Sequence, residues 1–123
     1  MVQALPVDET INVKQWIDIC ALEDIVPNTG VCALVEETQV AVFRVQVKDE
    51  DRVYALSNYD PFSKANVLSR GILGDRQGIY KVASPIYKQN FNLLTGECLD
   101  NDEVKVPVYP TKVVEGRIQI GIH

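Results

Sequence analysis

Few side chains in this sequence are of a kind that does chemistry, and their spacing limits what they could do. Cys20, Cys32, Cys98 and His123, the sole histidine, could in principle make a Cys3His metal site. Structural zinc sites draw ligands from close sequence neighbours, and no pair here has that spacing. Three widely spaced cysteines make no disulfide framework either, so they read as reduced thiols in a core or on its margin. Asp60 and Tyr87 could form an acid and phenol pair for proton transfer. No histidine lies near them, and the chain has no Ser-His-Asp set, no Gly-rich phosphate loop and no paired-carboxylate motif. Asp60-Pro61 reads more simply as a turn in which the carboxylate accepts a nearby backbone N–H. No active site is expected on this chain alone.

The elements that must position these residues are short β-rich runs separated by turn chemistry. "VKQWIDIC" (Val13 to Cys20) alternates and reads as the first strand, with Trp16 as a packing residue that could also meet a partner. Glu23 and Asp24 open one helical turn before Pro27, Asn28 and Gly30 reverse the chain. "GVCALVE" and "QVAVFRVQV" form a hairpin around Glu36, Glu37 and Thr38. "DEDR" (Asp49 to Arg52) reads as the next turn, and "VYALS" as the next strand. From Asn58 to Gly78 the alternation lapses into a long irregular stretch, and "ILGD" with "RQG" reads as a turn-rich link. Long loops in small domains are usually functional or inherited from something functional. "GIYKVAS" and "KQNFNL" restore strands, Thr95-Gly96 turns the chain, and the final strands fold around Glu115-Gly116. The pattern is all-β, with helix a minor component.

Bulk properties bound the rest. A chain of 123 residues, 46% hydrophobic and 24% charged, suits one domain with one core over residues 1–123. A formal charge of −5 argues against a general nucleic-acid binder, which needs a basic face. No apolar run is long enough to span a bilayer, and the first 16 residues lack the basic and apolar segments of a secretion signal, so the chain reads as cytoplasmic.

Two segments carry a resemblance. "NYDPFSKANVLSRGILGD" and "VASPIYKQNFNLLTGE" resemble the two cluster-binding loops of Rieske-type iron-sulfur proteins. That family uses a Cys-Pro-His loop followed by Leu-Ser-x-Gly, and a Cys-Pro-x-His loop leading to a Phe-containing strand and Thr-Gly-Glu. Two thiolates and two imidazoles thereby hold a [2Fe-2S] centre. The scaffold marks are present as Pro61, Leu68, Ser69, Gly71, Pro85, Phe91, Thr95, Gly96 and Glu97. All four ligand positions differ: Asp60 and Phe62 replace the first pair, Ser84 and Tyr87 the second. Phenylalanine has no donor atom, and serine and tyrosine ligate poorly unless ionised. The resemblance therefore implies the Rieske-like fold without the cluster: an antiparallel β sandwich with a small inserted loop and strand subdomain. Residues 1–12 would be an N-terminal extension, and residues 58–96 the former cluster-binding region.

A Rieske-like chain of this kind is similar to the small subunits of assimilatory NAD(P)H-dependent nitrite reductases, through "WIDICALEDIVPNTGVCALVEETQVAVFRV", "LSNYDPFSKANVLSRG" and "VASPIYKQNFNLLTGECLD". The resemblance implies a non-catalytic, cofactor-free subunit of an oxidoreductase. Its partner, the large subunit, would carry FAD, an iron-sulfur cluster and sirohaem and use NAD(P)H to reduce nitrite to ammonia. The alternative is a stand-alone protein-binding or regulatory module on the same fold.

Charge adds a separate indication. Residues 1–50 hold Lys14, Arg44 and Lys48 against nine acids, whereas residues 51–90 hold six basic residues against Asp51, Asp60 and Asp75. In the Rieske fold the two loops meet at one tip, so Tyr59, Phe62, Lys64, Arg70, Tyr87 and Lys88 are the candidate partner interface. Aromatic residues and arginine are enriched in interfaces. The competing readings are solvated lysines around aromatics that fill the space of the cluster, and an anion site.

Overall fold

A computed structural model describes residues 13–123; the proposed extension at residues 1–12 lies outside the described residues. The chain order is β1 (Gln15–Ala21), a 3-10 turn (Leu22–Asp24), β2 (Thr29–Val35), β3 (Thr38–Val47), β4 (Glu50–Ser57), β5 (Tyr59–Asp60) and β6 (Ala65–Asn66). A second 3-10 turn (Leu68–Arg70) leads to β7 (Ile72–Arg76), β8 (Ile79–Ala83), β9 (Asn90–Asn92), β10 (Val108–Tyr109), β11 (Thr111–Val114) and β12 (Arg117–Ile122). The expected all-β architecture is what forms.

The strands assemble as three layers around a central four-stranded sheet ordered β10-β4-β3-β2. The reason lies in β3, whose residues from Val40 to Val45 are buried on both faces. Because successive strand side chains point to opposite faces, Val40 and Val42 face one way and Ala41, Phe43 and Val45 the other. The first set packs with Val53, Ala55, Ile118 and Ile120, where the sheet β1-β12-β11 covers the central one. The second packs with Leu56, Leu68, Val82, Phe91, Leu93 and Val106, beneath the small sheet β7-β8-β9 that carries the second loop. Burying these side chains stabilises the fold by roughly 1.5–3 kcal/mol for each large one.

Arg44 is the exception on β3, a cation buried among apolar neighbours. It is fully paired: its guanidinium donates to Asp51 at 2.8 and 3.2 Å, and to the carbonyls of Ile25 at 2.9 Å and Leu22 at 3.4 Å. The side chain thereby ties the turn after β1 to the β3–β4 hairpin.

Two sequence expectations about turns are corrected. The β3–β4 reversal is Lys48-Asp49, with φ of 50° and 68°, and β4 already begins at Glu50. The segment read as a link over residues 72–78 is instead strand β7 plus the turn Gln77-Gly78, paired to β8 from Ile72↔Ala83 to Arg76↔Ile79. Both belong to a set with Glu36-Glu37 and Glu115-Gly116: two-residue loops in which both residues adopt left-handed φ. That geometry matches the twist of the flanking strands and normally selects Asn-Gly. Where glycine is absent, as at Lys48-Asp49, no residue announces it. The first strand also sits slightly later than read, at Gln15–Ala21.

Candidate functional site

The residues at the four expected ligand positions lie at the starts of two loops, one leaving β5 and one leaving β8. Asp60 and Ser84 are brought together in the interior, 0% and 1% exposed. Ser84 Oγ donates to Asp60 Oδ2 at 2.5 Å. The same carboxylate accepts from the Phe62 amide at 2.9 Å and from Ser63 Oγ at 2.9 Å. Burial pushes the Asp60 carboxyl up, but the hydrogen bonds from Ser84, Phe62 and Ser63 outweigh it, leaving the group below its ordinary value. The expected Asp-Pro turn is there, and its carboxylate has acquired a second task across the loops.

The other two positions diverge. Phe62 is half-buried with its ring 6.1 Å from that of Phe91, against the core beneath β7-β8-β9. Tyr87 is 62% exposed. The donor set does not fit a [2Fe-2S] cluster: two oxygens bond directly to each other, one side chain without a donor atom packs on the core, and the fourth faces solvent. Asp60 and Tyr87 are likewise no proton-transfer pair, since the Asp60 oxygens are taken by Ser84, Phe62 and Ser63. Among the described residues no group of three or more His, Cys, Asp or Glu side chains gathers as a metal site. Cys98 lies in the core under β7-β8-β9, Cys20 beside the core under β1-β12-β11, and Cys32 on the surface.

The candidate interface residues divide by exposure. Tyr59, Lys64, Arg70, Tyr87 and Lys88 are exposed, and so are Pro85 and Ile86, while Phe62 is turned toward the core. Lys64 and Lys88 occupy matching places. The Lys64 amide donates to the Asp60 carbonyl at 2.7 Å, and the Lys88 amide to the Ser84 carbonyl at 3.1 Å. Each lysine adopts a left-handed backbone, with φ of 58° and 65°. Arg70 ends the 3-10 turn just before Gly71, where a Cβ would lie 2.4 Å from the Ala83 carbonyl, so only glycine allows that approach to β8. Trp16 lies on β1 away from these loops, with the Lys112 ammonium 4.3 Å over its ring.

Two residues of this region went unnoticed in the sequence. Asn58, buried after β4, accepts from the Ser69 amide at 2.7 Å and donates to Gln39 Oε1 at 3.1 Å, while its carbonyl accepts from Leu68 at 3.1 Å. It fixes the Leu68-Ser69-Arg70-Gly71 turn against β3, and an amide side chain next to a strand end was the available signal. Gln89, whose carbonyl accepts from the Ser84 amide at 2.9 Å, keeps its Oε1 buried with no donor among the described residues. It lines a shallow groove with Tyr87, Lys88, Asn90 and Asp100.

Comparison with known proteins agrees with the fold. The family model "Rieske-like [2Fe-2S] domain" matches residues 15–121. The nitrite reductase (NADH) small subunit of Escherichia coli K12 is 46% identical over 107 residues, which cover 87% of this chain and 97% of that protein. The solution structure of a nitrite reductase [NAD(P)H] small subunit from Erwinia carotovora superposes with a TM-score of 0.74 at 49% identity, covering 89% of this chain and 83% of that one. A nitrite reductase [NAD(P)H] large subunit of Klebsiella oxytoca contains a segment 44% identical over 108 residues, 88% of this chain but 11% of that protein. These relatives favour the subunit reading and lend nothing to a stand-alone module. The chain belongs to the Rieske-like family and, within it, to the small subunits of NAD(P)H-dependent nitrite reductases.

Proposed function

We propose that this chain is a cofactor-free docking subunit of a cytoplasmic nitrite reductase. It supports the reduction of nitrite to ammonia by a large subunit that binds NAD(P)H and carries FAD, sirohaem and an iron-sulfur cluster. The chain acts as one domain and contributes a surface, not an electron relay. That surface is the pair of loops at residues 59–64 and 84–88, with Tyr59, Lys64, Tyr87 and Lys88 at its centre and Arg70 nearby, while Phe62 supports it from beneath.

The observation that carries this reading is the exchange of ligand atoms for the Asp60–Ser84 hydrogen bond, with exposed aromatic and basic side chains kept on both loops. Loops that a metal centre joins in Rieske proteins are joined here by a hydrogen bond. The Klebsiella oxytoca large subunit, which holds a homologous segment in its own chain, supports an association of this kind of domain with that partner.

The test is a titration of the purified chain onto the large subunit, following association and nitrite-dependent NAD(P)H oxidation together. Lys64→Glu with Lys88→Glu should leave the domain folded, weaken association and make it fall less steeply with rising salt than the parent's. Unchanged association would remove these loops from the interface. Iron and acid-labile sulfide assays on the purified chain should both be negative.

A further inference from the structure

The two loops are built on one plan. Asp60-Pro61-Phe62-Ser63-Lys64 and Ser84-Pro85-Ile86-Tyr87-Lys88 each begin with an oxygen-bearing side chain, place proline second and end on lysine. In each, the first side chain accepts from the amide two residues on, at 2.9 Å for Phe62 and 3.4 Å for Ile86. In each, the lysine amide returns to the first residue's carbonyl, and the lysine is left-handed. Proline presets the second position of such a turn, and a left-handed fifth residue closes it. The two plans are joined at their first residues by the buried Ser84–Asp60 hydrogen bond.

Each lysine backbone is therefore one hydrogen bond away from a residue of the buried clasp. Rotation of either loop about its start moves its lysine, and the clasp blocks that rotation for both loops at once. A left-handed position suits glycine or asparagine better than lysine, so the lysines are not there for the backbone. Two cations carried on loops whose starts are joined engage two anionic groups as a bivalent unit, with the second contact favoured by the effective concentration set by the first.

From this geometry we infer that Asp60 and Ser84 are positioning residues of the docking face. Their clasp sets the spacing of Lys64 and Lys88 so that both meet carboxylates on the large subunit together. The inference rests on the docking face proposed above and adds to it residues that the partner never touches.

The experiment is a mutant cycle on the full chain, read as the dissociation constant for the large subunit at low and moderate salt, with circular dichroism and thermal unfolding of each variant. Ser84→Ala removes the cross-loop bond together with the longer bond from the Ile86 amide to Ser84 Oγ, and leaves Asp60 its bonds to Phe62 and Ser63. Lys64→Asn with Lys88→Asn removes both charges at positions that asparagine tolerates. The lysine variant should bind at least about tenfold more weakly, with a flatter salt dependence. Ser84→Ala should stay folded, weaken binding about tenfold, and cost almost nothing further when added to the lysine variant. Ser84→Thr, which keeps the hydroxyl, should recover most of the affinity. If the lysine variant binds like the parent, the docking face itself is wrong. If the lysines matter but Ser84→Ala leaves affinity and salt dependence unchanged, or costs the same factor in both backgrounds, the clasp does not act through the lysines. Unfolding of both Ser84→Ala and Asp60→Asn would also overturn the inference, by making the clasp a determinant of the fold.

Discussion

Asp60→Ala is the sharpest single perturbation of this fold, because one carboxylate serves three donors. The variant removes the Ser84 bond at 2.5 Å and the Phe62 and Ser63 bonds at 2.9 Å each. A hydrogen bond to a charged group contributes about 1.5–3 kcal/mol, and leaving the buried Ser84 hydroxyl unpaired costs about 1–3 kcal/mol more. Water can serve the Phe62 and Ser63 donors, which are less buried, so the expected total is about 3–5 kcal/mol. Urea unfolding measures it: the midpoint should fall while the slope stays the same. Asp60→Asn keeps an acceptor and should lose less. The folded carboxyl lies below its ordinary value, so its contribution is complete above the unfolded value of about 3.9 and disappears as pH falls through the folded one. The stability difference between the parent and Asp60→Asn should thus be level from neutrality to about pH 4 and shrink below it. A loss below about 1 kcal/mol for Asp60→Ala, or a pH profile identical in parent and Asp60→Asn, would refute the reasoning.

Other perturbations test the frame that holds the loops. Arg44→Ala should destabilise by about 3–5 kcal/mol, because it leaves Asp51 and the Ile25 carbonyl without their buried donor, as chemical denaturation would show. Arg117→Ala, by contrast, breaks an exposed pair with Asp18 and should change stability by less than about 1 kcal/mol in the same assay. Gly96→Ala places a Cβ 2.1 Å from the Val106 carbonyl at a residue with φ of 81°, so a loss of about 2 kcal/mol or more is expected in thermal unfolding.

Much of the fold was legible in the sequence. The apolar, β-branched run of β3 announced one strand of a hairpin, and Glu115-Gly116 announced its hairpin through its glycine. Lys48-Asp49 and strand β7 were missed for two physical reasons. Charged residues can take left-handed positions when strand pairing holds them, and a strand of Ile-Leu-Gly-Asp-Arg shows little alternation. At the loops, the residue types alone carried the expectation that Asp60, Phe62, Ser84 and Tyr87 supply no usable set of iron ligands, because donor chemistry is a property of the residues themselves. It did not show that Asp60 and Ser84 bond to each other across 24 residues, or that Phe62 turns inward while Tyr87 turns out. Those follow from tertiary packing, which no local spacing encodes. Arg44 was counted among the basic residues of an acidic half, yet its charge is spent inside the fold on Asp51.

Hydrogen exchange on the assembled enzyme tests the central claim most directly, by comparing amide protection in the small subunit free and bound to its large subunit. If the loops are the docking face, protection rises at residues 59–64 and 84–90, while the amides of β1, β11 and β12 exchange as they do in the free chain. Protection gained only on the sheet β1-β12-β11, with the two loops unchanged, would contradict the account.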